Sequence, residues 1–224
     1  LLDKGAEVNR ANQNGWTPLL IACWNGHVDA VRLLLDKGAE VDRADKWGQT
    51  PLLFACKNGH VDAARLLLNN GAKVGRATNW GQTPLNVACE KGHIDVARLL
   101  LDKGAEVDRA NKNGNTLLYM ACENGHIDAA RLLLDKGAEV DRANNRGTTP
   151  LEIAKRRRCR AVVMLLEAHY KAKFPLHGAA KTGDVDAMTL LLDGGADVNR
   201  AMNDGRTPLH IACKNGHIGA ARLL

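Results

Sequence analysis

Six cysteines and eight histidines are the residues of this chain best suited to nucleophilic or metal chemistry. Cys23, Cys56, Cys89, Cys122 and Cys213 each follow an alanine directly. A histidine and, in four cases, an aspartate come soon after: Cys23/His27/Asp29, Cys56/His60/Asp62, Cys89/His93/Asp95 and Cys122/His126/Asp128. A thiol beside an imidazole that a carboxylate orients is how a cysteine nucleophile is activated. Repetition argues against that chemistry, because an active site is needed once and a packing device in every copy. The CxxC spacing of a zinc site is absent, as are a Gly-rich phosphate loop, HExxH and GxSxG. The expectation is no catalytic residue, no metal and no cofactor. The in-register cysteines are expected to be small buried hydrophobes with free thiols, in a reducing, intracellular and cytoplasmic setting.

Two basic features also invite a reading. Arg10, Arg43, Arg76, Arg109, Arg142 and Arg200 recur once per period, with acids such as Glu40, Asp42, Glu106 and Asp108 beside them. Local pairing should cancel most of their field. Lys155, Arg156, Arg157, Arg158 and Arg160 form a denser patch. Residues 144–173 hold eight Lys/Arg against two acids, while the rest of the chain balances 23 against 23. The net charge of +6 is therefore one local spot. It reads as a solvated capping face, with an acidic partner, nucleic acid or a nuclear-localisation signal as the rivals. No run approaches the roughly 20 apolar residues of a membrane span, so no membrane partner is expected.

What must position these residues is a repeat. Gly15, Gly48, Gly81, Gly114 and Gly147 lie 33 residues apart, and each precedes a variant of Thr-Pro-Leu. An Ala-Cys pair, Gly-His, a Leu triplet and Gly-Ala-x-Val follow in order. The next such glycine is Gly205, 58 residues on, so one copy has lost eight residues. Within a copy, Thr17 can cap a helix that Pro18 opens, and Gly26 can end it. Val28, Val31, Leu34 and Leu35 then have the spacing of a second helix, which Gly38-Ala39 closes. Neither helix can bury its apolar face alone, but stacked copies can.

The 33-residue period and TPLHxA-like motif resemble the ankyrin-repeat family over essentially the whole chain. The stretch Asp45 to Ala77, DKWGQTPLLFACKNGHVDAARLLLNNGAKVGRA, matches throughout, and 174–177 and 207–210 keep the motif's histidine. The resemblance implies an all-α solenoid of about six to seven stacked helix-turn-helix units with β-turn fingers. It implies that the recurring His bonds neighbouring backbone in the loop. It also implies a concave recognition surface made by the finger tips and first helices.

The slots that vary between copies are free for recognition. They hold Trp16, Trp24, Trp47, Gln49, Lys57, Trp80, Gln82, Glu90, Lys112 and Asn113, among them all four tryptophans. Trp is the residue most enriched at binding hot spots.

The expected organisation is one stack over 1–168, comprising a partial unit, four full 33-residue units and a shortened, basic, cap-like unit. A junction at 169–173 and a truncated second stack over 174–224 follow. With no initiator Met and an opening inside the Leu triplet, the chain is expected to be a fragment of a longer array. The function expected is a non-catalytic scaffold for an unidentified protein partner, with no small-molecule substrate and nucleic acid disfavoured. The alternatives are electrostatic binding of nucleic acid or an anionic surface through the basic unit, or service as the targeting arm of an enzyme outside the fragment.

Overall fold

Most copies start their first helix in the same way. The Thr17 hydroxyl accepts the Leu20 N–H at 3.3 Å, and Thr50 accepts that of Leu53 at 3.2 Å. Proline then takes the first helical position, where a missing N–H costs nothing. At Thr83 and Thr149 the cap is reciprocal, because the side chains of Asn86 and Glu152 reach back to the cap's backbone N–H. The computed structural model describes residues 5–224, so the first four residues of the opening partial unit lie outside the described residues.

Fourteen helices, and no strand, are present among the described residues. They are α1 (Pro18–Asn25), α2 (Val28–Asp36), α3 (Pro51–Lys57), α4 (Val61–Asn69), α5 (Pro84–Glu90), α6 (Ile94–Asp102) and α7 (Leu117–Asn124). Then come α8 (Ile127–Asp135), α9 (Pro150–Arg156), α10 (Arg160–Lys173), α11 (Pro175–Thr182), α12 (Val185–Asp193), α13 (Pro208–Lys214) and α14 (Ile218–Leu223). Seven helix pairs result, each joined by a tight loop. Two compact units contain them, Leu1–Arg109 and Ala110–Leu224.

In the first unit, α1, α3 and α5 pack as one row, and α2, α4 and α6 as another. Leu19, Leu20, Leu52, Leu53 and Leu67 lie fully buried between the rows, beside Ala63 and Ala64, whose small side chains let the helices approach. Each such leucine contributes about 1.5–3 kcal/mol by leaving water. The loop between paired helices turns on a glycine. Gly26 has φ +71°, and a Cβ there would lie 2.5 Å from the His60 ring. Only glycine satisfies both constraints.

In the second unit α7 packs on α9, α8 on α10, α11 on α13 and α12 on α14. The regularity breaks between α9–α10 and α11–α12. Residues 169–173 contain no glycine, so nothing ends α10 until Phe174, the residue before Pro175. The helix runs 14 residues and packs directly on α11, and no extended α9–α11 or α10–α12 contact forms. The Gly-Ala-x-Val finger that would stand here is missing. Across the gap, the Asn203 N–H donates to Asp141 Oδ2 at 2.9 Å, and its amide donates to Glu139 at 2.8 Å. Tyr170, Phe174 and His177 meet in series, one pair tilted and one edge-on, at centroid separations of 5.3 Å. Burial holds the His177 pKa below the usual imidazole value, with its Nε2 facing the Arg206 carbonyl at 3.3 Å.

Candidate functional site

At five finger tips one side chain caps the turn. Asn12, Asp45, Thr78, Asn111 and Asn144 stand three residues before the loop glycine. Asp45 Oδ1 accepts the N–H groups of Trp47 and Gln49, both at 2.9 Å. Thr78 Oγ1 does the same for Trp80 and Gln82, at 3.3 and 3.2 Å. The tip closes with a backbone bond from Asp45 N–H to the Gln49 carbonyl, and from Thr78 N–H to that of Gln82. Fingers are stitched together as well. Lys46 N–H donates to the Asn14 carbonyl at 3.3 Å, and Asn79 N–H to that of Trp47 at 3.0 Å. Successive copies thus hold Trp47 and Trp80 as neighbouring rungs, exposed at 40% and 60%.

Beside the first rung lies an aromatic cluster. Trp16 and Trp24 each sit 5.1 Å from buried Phe54, and their rings are 5.6 Å apart. Lys57 Nζ stands 5.5 Å from the centre of the Trp24 ring, within cation–π reach. Trp24 remains 37% exposed. Trp16 is half-buried, and its indole N–H is sealed from solvent without an acceptor. Of the four tryptophans, Trp16 and Trp24 therefore do packing work too, which their spacing did not reveal. Phe54 was the available signal, as the single aromatic in a slot that elsewhere holds Ile21, Val87, Met120 and Ile153.

The other residues singled out in the sequence take varied positions. Gln82 and Glu90 are exposed, and Glu90 pairs with Lys91 at 3.5 Å. Gln49 and Lys57 are partly exposed. Lys112 and Asn113 belong to the second unit, at a tip where their carbonyls accept from Asn145.

Two histidines of the trios that resemble a nucleophile, and His217, face backbone carbonyls. His60 Nε2 faces the Trp24 carbonyl at 3.1 Å, His93 that of Lys57 at 3.2 Å, and His217 that of Lys181 at 3.0 Å. Each histidine thus clamps its loop to the copy before. Burial pushes the Cys23, Cys89 and Cys122 thiols from 9.0 up to about 12, and moves Cys56 in the same direction. All six cysteines are free. Cys213 departs from expectation by being exposed, since α11 covers α13 on one side only.

The arginine ladder is structural in part. Arg43 pairs with Glu40 at 3.0 Å, whereas Arg76 and Arg109 donate to the Asp42 and Gly75 carbonyls of the preceding copy. In the basic unit, Lys155 meets Glu167 at 2.7 Å and Arg157 meets Glu123 at 2.6 Å. Among the described residues, Arg156, Arg158 and Arg160 form no ion pair. Arg158 occupies the inter-helix glycine slot and adopts φ 59°, alone among non-glycine residues described.

A family model for ankyrin repeats (3 copies) matches residues 1–45, 41–111, 104–174 and 165–224. The chain belongs to the ankyrin-repeat family. A putative ankyrin repeat protein of fowlpox virus is 37% identical over 67 residues, 28% of this chain and 48% of that protein. Human protein phosphatase 1 regulatory subunit 27 is 39% identical over 62 residues, 28% of this chain and 40% of that protein. The transient receptor potential cation channel subfamily A member 1 of Drosophila melanogaster is 33% identical over 70 residues, 31% of this chain and 6% of that protein. The ankyrin chain thus aligns with less than half the length of each. Ankyrin repeats are in general non-catalytic protein–protein interaction modules, and no described helix is long and apolar enough to cross a membrane.

Proposed function

We propose that this ankyrin array recognises a partner protein, without catalysis, through the finger tips and first helices of its first unit. Trp47 and Trp80 carry the reading. Large apolar side chains exposed at 40% and 60% serve no core, yet both stand on capped, hydrogen-bonded tips. A preformed anchor loses little freedom on binding, which is where much of the cost of association falls. Trp24 and Lys57 extend the surface toward the first helices, and Gln49, Gln82 and Glu90 supply a polar rim. The buried thiols and carbonyl-bound histidines support a role without catalysis, in a reducing intracellular compartment. The two ion pairs in the basic unit favour a protein over a nucleic-acid partner, because they cancel two of its five cations.

A photo-crosslinking residue at position 82 or 57 should capture the partner, and one at exposed Arg65 on α4 should not. Capture from position 65 alone would contradict the reading. Binding whose logarithm falls steeply with salt, and which Arg156→Ala abolishes, would favour the electrostatic alternative.

A further inference from the structure

The break between α9–α10 and α11–α12 leaves a cavity of about 770 Å³ within the second unit. Its size lies in the range of small-molecule sites. Leu151, Tyr170, Leu190, Leu191, Met202 and Ile211 supply apolar wall. Leu190 is 75% exposed, while Leu33, Leu99 and Leu132 in the same repeat slot are 50%, 6% and 2% exposed. Tyr170 Oη is turned to Met202 Sδ at 2.9 Å, which leaves the ring as wall.

The charges around the cavity are unequal in what they already do. Every carboxylate that lines it is engaged. Glu167 pairs with Lys155, Glu152 accepts the Thr149 N–H at 2.9 Å, and Asp184 accepts that of Ala187 at 3.0 Å. Asp141 accepts Asn203 with one oxygen and keeps the other sealed from solvent. Arg206 is likewise committed to Asp204 at 2.5 Å. Lys171, Lys181 and Lys214 also line the cavity and are exposed, and among the described residues none of them forms an ion pair. Apolar walls and three cations without an ion pair suit a ligand that joins an apolar part to an anionic group.

We propose that this cavity binds a small amphipathic anion, an apolar chain ending in a carboxylate, with the head group among Lys171, Lys181 and Lys214 and the chain against Leu190 and Leu191. The lost finger creates the site.

Calorimetric titration of the whole chain with dodecanoate, below its micelle concentration, tests this. Saturable binding at one site is expected, with dodecyltrimethylammonium at least tenfold weaker. Leu190→Glu should weaken dodecanoate at least tenfold, and so should the triple change Lys171→Glu, Lys181→Glu and Lys214→Glu. Both involve exposed side chains that the fold does not need, and a Lys→Gln triple replaces the Glu triple if circular dichroism shows unfolding. No saturable binding, equal affinity for the cationic detergent, or undiminished binding in both variants would overturn the proposal.

Discussion

At the scale of single residues, the thiols separate into two chemical kinds. Cys23, Cys56, Cys89 and Cys122 are buried, whereas Cys159 is partly exposed and Cys213 exposed. Native protein treated with a maleimide should label at Cys159 and Cys213 first, and mass spectrometry should find the other four slow. Rapid labelling of those four would contradict their burial. The buried thiols also set a pH dependence. Their folded pKa values lie above the 9.0 of a free thiol, so the stability they contribute is full below that value. It is lost as pH rises from 9 toward about 12, where the unfolded chain ionises and the folded one resists. Replacing all four by alanine should flatten that alkaline loss in denaturant titrations. Arg158 is the second residue-scale case. Its φ of 59° strains any side chain with a Cβ, at about 1–2 kcal/mol. Arg158→Gly restores the residue used in this slot elsewhere and should raise stability by up to about 1 kcal/mol, after the entropic cost of glycine.

At the scale of elements, local rules were legible and pairings across copies were not. Thr-Pro starts and Gly stops could be read directly, because each acts within a single turn of helix. The caps at Asn12, Asp45, Thr78, Asn111 and Asn144 are equally local, and their constant offset from the loop glycine was present in the sequence. The meeting of Trp16 and Trp24 with Phe54 was hidden, since it depends on how two copies stack and which way three rings turn. The extension of α10 was also hidden. The missing finger marked a break, but only the absence of glycine together with Pro175 decides that helix continues to Lys173. One prediction belongs here. Asp45→Ala strips the Trp47 and Gln49 N–H groups of their acceptor and should cost about 1–2 kcal/mol. Faster amide exchange at Trp47 than at Trp80 in that variant would show the tip loosening, and unchanged exchange would refute the cap's role.

At the scale of the whole molecule, a repeat stack is as strong as the contact between neighbours. By that measure the weakest step proposed within the second unit is around 169–174, where α9–α11 and α10–α12 lack extended contact. The Tyr170–Phe174–His177 ring contacts and the two Asn203 hydrogen bonds add to the α10–α11 packing there. Limited proteolysis or hydrogen exchange should open the second unit there first. Earlier opening around the fully buried Leu118 and Leu133 of the same unit would contradict that ranking.

Trp47 and Trp80 are proposed to be presented for a partner rather than kept for the fold. Partner affinity and thermal stability measured together for Trp47→Ala, Trp80→Ala and Leu67→Ala test it most directly. Leu67 is the control, fully buried in α4 between the helix rows. Each Trp variant should lose about 2 kcal/mol or more of binding, the scale of a central hot spot. It should lose less stability than Leu67→Ala, for which about 2–5 kcal/mol is expected. Trp variants that destabilise as heavily as Leu67→Ala, while their folded fraction binds normally, would contradict the account and make these tryptophans structural.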